Sequence, residues 1–215
     1  MPNLFKKALL FGLLILFASF LAPKKKIIVI LKHGSQLVYD MDAGNAHYDL
    51  IVTIKKTKPE ISFSYETTGP NPKKGAITIP AKDIDSARSL NNDFGGGTKT
   101  LDGETSVFLS RAIYAEVAMA GMTEGGTSFK ANSNEAIENF TKGEPNQNEI
   151  KVNGKKIQID GERFYDYVDE KHGNYHYAFT LMKSDDYPLI LEMNLGWIMH
   201  LKEMKDVDVQ TVKEE

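Results

Sequence analysis

From His47 onward, apolar and polar residues change places with the regularity of a half-buried strand. Tyr48, Leu50, Val52 and Ile54 fall on one side, and His47, Asp49, Thr53 and Lys55 on the other. Just after Pro59, Ile61, Phe63 and Tyr65 alternate with Ser62, Ser64 and Glu66. One dry face and one wet face is the pattern of an antiparallel sheet. The turn residues Asp42-Ala43-Gly44-Asn45 place a preceding strand over Gln36 to Met41. The loop Gly69-Pro70-Asn71-Pro72 leads to a short strand over Ala76 to Ile79, stopped by Pro80, and the continuous run Ile27 to Leu31 reads as a fully buried strand or as a continuation of membrane-proximal structure, which periodicity alone does not decide.

The pattern is most consistent between Glu149 and Met204. Asn153-Gly154 tolerates positive φ at both central positions of a type I′ turn, which predicts a two-residue hairpin with Val152 opposite Lys155 and Ile150 opposite Ile157. Ile150, Val152, Ile157 and Ile159 then share one face, and Lys151, Lys156 and Gln158 the other. A second arm follows, Phe164 to Val168 and Tyr175 to Met182, joined through Lys171-His172-Gly173-Asn174. Further strands are expected over Leu189 to Met193 and Trp197 to Leu201, giving a meander of about six strands.

Helical signals are confined to the middle of the chain. Ala81 to Leu90 is a polar-rich candidate, followed by the glycine triplet Gly95-Gly96-Gly97. Thr105 to Leu109 is strand-like, and Ser110 suits the N-cap of a helix over 111–120, with Gly121 at its C′ position. Residues 123–148 are rich in Gly, Asn, Ser and Glu and read as a linker, with a strand expected over Thr127 to Lys130 and a helical turn over Asn134 to Phe140. The expected fold is mainly β, with antiparallel sheets as a sandwich or partly closed barrel and one or two short helices. It divides into a β-rich half over 27–122, the linker-like 123–148, the meander 149–204 and a charged tail 205–215.

Residues 1–22 have a separate character. Lys6-Lys7 precede an apolar run from Ala8 to Ala22, the charged and greasy regions of a secretory signal, in a run shorter than the about twenty residues a spanning helix needs. Phe20-Leu21-Ala22 is a poor cleavage site, so an uncleaved signal anchor, touching the membrane through residues 8–22, is the competing expectation. Without the leader the body holds 24 basic and 29 acidic residues, a net charge of −5, which argues against nucleic acid as a partner. The chain has no cysteine, which excludes a disulfide framework, a thiolate metal site and a lipoprotein attachment point.

The chemical motifs are sparse. Ser110 lacks the flanking glycines of a nucleophile elbow and reads as a helix cap. Asp85-Ser86-Ala87 occurs once, where aspartic proteases need two such carboxylates. Gly95 to Thr100 lacks the order of a phosphate loop. His172 and His176 with Asp169 could converge as a metal site, and Tyr165, Tyr167, Tyr175 and Tyr177 around them could form a stacking surface for a sugar, peptide or protein. The leading expectation is an exported, non-enzymatic β-domain of the cell envelope without a cofactor, either binding an envelope protein or glycan through those four tyrosines or serving as a structural accessory to a membrane complex. The alternative is a metal- or carboxylate-dependent hydrolase centred on His172, His176 and Asp169.

Overall fold

The computed structural model describes residues 25–119, 127–132, 137–169, 174–182, 184 and 188–213. Of the structure, 59% is strand and 9% helix. The chain divides into two units, Met1–Val29 with Val209–Glu215 and Ile30–Asp208. In the first, β1 (Lys25–Ile30) pairs with β14 (Asp208–Lys213), so residues 208–213 of the charged tail form a strand.

The second unit begins with β2 (Gln36–Asp42), β3 (His47–Lys56), β4 (Ile61–Thr67) and β5 (Lys74–Ile79), an antiparallel series extended by β6 (Gly97–Thr100), which runs parallel to β5. Alternation determines its burial: Leu50, Val52, Ile54, Ile61, Phe63 and Tyr65 are all buried. Among the described residues, two helices interrupt the strands. α1 (Ala81–Ser86) is shorter than the expected span 81–90, because the backbone is extended at Ala87 and Leu90 then bridges Thr105. α2 (Arg111–Met119) starts where expected, with the Ile113 N–H donating to Ser110 Oγ at 3.3 Å. Thr105 to Leu109 contributes isolated bridges at Thr105 and Phe108 instead of a strand, with Val107 at positive φ.

The linker-like stretch departs most from its composition. Its described residues hold β7 (Thr127–Phe129), β8 (Glu138–Lys142) and the start of β9 (Asn146–Val152). Residues 138–140 are strand where a helical turn was expected. Two phenylalanines explain this. Phe129 and Phe140 stack at 4.4 Å and pack against Phe164 and Phe179, which face each other at 5.2 Å across one ladder. All four are buried, and the aromatic contacts outweigh the polar composition around them.

The C-terminal meander is a closed barrel of five strands: β9, β10 (Lys155–Asp169), β11 (Asn174–Met182), β12 (Ile190–Asn194) and β13 (Ile198–Lys205). Successive strands are antiparallel, and closure pairs Glu203 with Lys151 and Met204 with Val152 in parallel. An up-and-down series with an odd number of strands must close in that way, since its first and last members point in the same direction. The Asn153-Gly154 hairpin has its expected register, with φ of 47° and 82° at the turn. Two expected strands merge into β10, whose first part pairs with β9 and whose second part, beyond Gly161, pairs with β8 along the same edge. β13 also pairs with β2, so barrel and N-terminal strands are one continuous sheet.

Candidate functional site

The sheet leaves an apolar pocket of about 580 Å³ within the second unit, lined by four separate pieces of chain. The end of the β2–β3 hairpin contributes Met41, Ala43, Ala46 and Tyr48, and the β4–β5 connection contributes Thr67, Gly69, Pro70, Asn71 and Lys73. The loop before β6 supplies Asn92, Asp93, Phe94 and Gly95, and the β12–β13 turn supplies Trp197. Tyr48 and Trp197 are half-buried and Phe94 is buried. Such a wall removes apolar ligand surface from water while few polar groups orient it.

Each piece is held by identifiable bonds. Met41 is the cross-strand partner of both Tyr48 and Met199, which ties the hairpin to β13 beside Trp197. The Trp197 turn is closed by the Leu195 N–H donating to the Trp197 carbonyl at 2.9 Å, with Gly196 in the left-handed region. In the β4–β5 connection, the Lys73 N–H donates to Thr67 Oγ1 at 2.8 Å and the Asp49 N–H to Thr68 Oγ1 at 2.9 Å. Phe94 meets Tyr65 edge-on at 5.2 Å, and the Gly96 N–H donates to the Tyr65 hydroxyl at 2.9 Å. Lys99 donates to both the Asp93 carboxylate and the Asp93 carbonyl at 2.9 Å. The Lys99 ammonium, helped by the Gly95 N–H, holds the Asp93 carboxyl below its ordinary value.

Of the sequence-derived candidates, Tyr165 and Tyr177 do not line this pocket. Tyr165 is half-buried, with its ring over Gly143, where a Cβ would come within 2.6 Å of Tyr165 Cε1. Tyr177 is buried, and its N–H donates to the Asp166 carboxylate. Tyr167 and Tyr175 are cross-strand partners on the β10–β11 ladder, and their side chains fall outside the described residues. His172 also lies outside the described residues, as do the side chains of Asp169 and His176. Among the described residues, no three His, Cys, Asp or Glu gather as a metal site. Ser110 is fully buried as a helix cap, and Asp85 pairs with Arg111 at 2.5 Å. Residues 1–24, with the leader, lie outside the described residues, and no described helix is long and apolar enough to cross a membrane.

Alternation points to buried rows, whereas Phe94 and Trp197 in this pocket stand where such rows are interrupted. Trp197 follows a glycine between two strands, and Phe94 stands alone in the polar run Asn91 to Gly97. A lone large aromatic in turn-forming sequence is the signal that could have identified both. The chain matches no known family model, no curated protein and no solved structure.

Proposed function

We propose that this chain is an exported, non-enzymatic binding protein of the cell envelope, and that it holds its ligand in the pocket bounded by Tyr48, Phe94 and Trp197. The observation that supports this most is the pocket itself: about 580 Å³ within the usual size of small-ligand sites, with a mainly apolar wall drawn from four segments at the turns and loops of one sheet. Its polar members suit orientation more than turnover, since its one carboxylate, Asp93, is engaged by Lys99. The greasy segment after Lys6-Lys7 supports export.

Two measurements test this reading. A fusion of the full chain to a reporter active only outside the cytosol should be active, and inactive once residues 1–22 are removed. Native mass spectrometry of protein recovered from its own cells should show a bound small molecule that is lost in the double substitution Tyr48→Ala and Trp197→Ala, whose circular dichroism stays β-type. A cytosolic fusion, or equal retention of the bound mass by the double variant, would overturn it.

A further inference from the structure

Three of the pocket's polar residues are engaged by the protein itself. The Asn92 amide donates to the Ala131 carbonyl at 2.9 Å, Thr67 Oγ1 accepts from the Lys73 backbone, and Asp93 is paired with Lys99. The charges are more specific. Lys74 is paired with Glu66 at 2.9 Å, but the neighbouring Lys73, which lines the pocket, has no ion-pair partner among the described residues. With Asp93 paired to Lys99, the exposed Lys73 leaves one positive charge without an ion-pair partner among the described residues beside the apolar wall.

Building on the pocket as the binding site, we propose that its ligand is a small amphipathic carboxylate. Its alkyl or ring portion packs against Trp197, Tyr48 and Phe94, and its anionic end meets the Lys73 ammonium. Apolar burial supplies most of the affinity, and the single charge selects an anion over its neutral or cationic analogue.

Trp197 is the only tryptophan in the chain, so its emission reports occupancy of the pocket directly. The full chain is titrated below micellar concentration with decanoate, decanol, decyltrimethylammonium and cellotetraose, following Trp197 emission and calorimetric heat. Decanoate is expected to shift the emission to the blue, saturably and about fivefold or more tighter than decanol, with the cation weaker still. Lys73→Gln should erase the preference for decanoate while leaving decanol binding unchanged, and Lys73→Arg should restore it. Equal binding of decanoate and decanol to the wild-type protein would overturn the anionic ligand and leave the pocket standing as a binding site. A response to cellotetraose alone would replace the carboxylate with a glycan. No response to any alkyl probe would overturn both the carboxylate and the pocket.

Discussion

Gly75 and Tyr39 show how single side chains hold this sheet together. Gly75 is the cross-strand partner of both Tyr65 and Gly97, and a Cβ there would lie 2.3 Å from the Gly97 carbonyl oxygen and 2.5 Å from the Tyr65 hydroxyl. The first of these atoms is backbone, so Gly75→Ala must push β6 away from β5. The expected loss is about 1–3 kcal/mol in urea unfolding, with faster amide exchange over Gly97–Thr100 than elsewhere in the sheet. An unchanged midpoint would show that β6 yields without cost. Tyr39 is fully buried and donates from its hydroxyl to the Ile190 carbonyl at 3.1 Å, joining β2 to β12 through the core. Burial pushes its phenol above the ordinary value of 10.0. The sign follows from linkage: the unfolded chain releases this proton near pH 10 and the folded one does not. The contribution is therefore complete below about pH 10 and is lost as pH rises from there towards the folded value. Tyr39→Phe should cost about 1 kcal/mol at neutral pH, and its stability should fall less steeply than the wild type's above pH 10. Parallel alkaline slopes in the two proteins would refute the assignment.

Among the elements, the β9–β10 hairpin was readable in advance in both turn and register, because Asn-Gly chemistry and alternation point to the same pairing. Its turn has a second task that no local pattern reveals. Asn153 Nδ2 donates to the Val207 carbonyl at 2.7 Å, and Asn153 Oδ1 accepts from the Val207 N–H at 3.3 Å, clasping the hairpin to the chain just after β13 where the barrel closes. The two tasks can be separated by substitution. Asn153→Gly keeps the positive φ and loses the clasp, for about 1–2 kcal/mol, whereas Asn153→Ala also strains the turn and should cost about 1 kcal/mol more. Equal losses, measured by denaturant unfolding, would mean that only one task matters. The elements that were not readable share a cause. Phe129 and Phe140 make strands of a polar stretch through contacts with Phe164 and Phe179, at least 24 residues away, and α1 ends early because the chain is needed for the bridge at Leu90. Composition and period report neighbours in sequence, and these outcomes depend on neighbours in space. The pocket is hidden for the same reason: alternation makes Tyr48 one more member of a buried row, and Trp197 the start of a strand.

Within the unit from Ile30 to Asp208, β13 is the strand that joins the N-terminal strands and the C-terminal meander into one continuous sheet. It pairs along its length with β2, with β12 through Ile198–His200, and with β9 through Glu203 and Met204. Met199, Leu201 and Met204 on this strand are buried, so removing it would open the barrel and bare the edge of β2 together. Leu201 is the partner of Tyr39 on β2, and Leu201→Ala leaves a void between the two halves, for an expected cost of about 2–5 kcal/mol. Because both halves lean on the same strand, the loss should be felt equally at Leu50 in the N-terminal strands and at Ile159 in the barrel. Native-state amide exchange is the measurement. Protection at both positions should fall by the same free energy, with one unfolding transition by far-ultraviolet circular dichroism and by Trp197 emission. If Ile159 kept its protection while Leu50 lost it, the barrel would be a cooperative unit of its own, and the pocket, with Trp197 on one side and Tyr48 and Phe94 on the other, would lie across the seam between two independently folding parts.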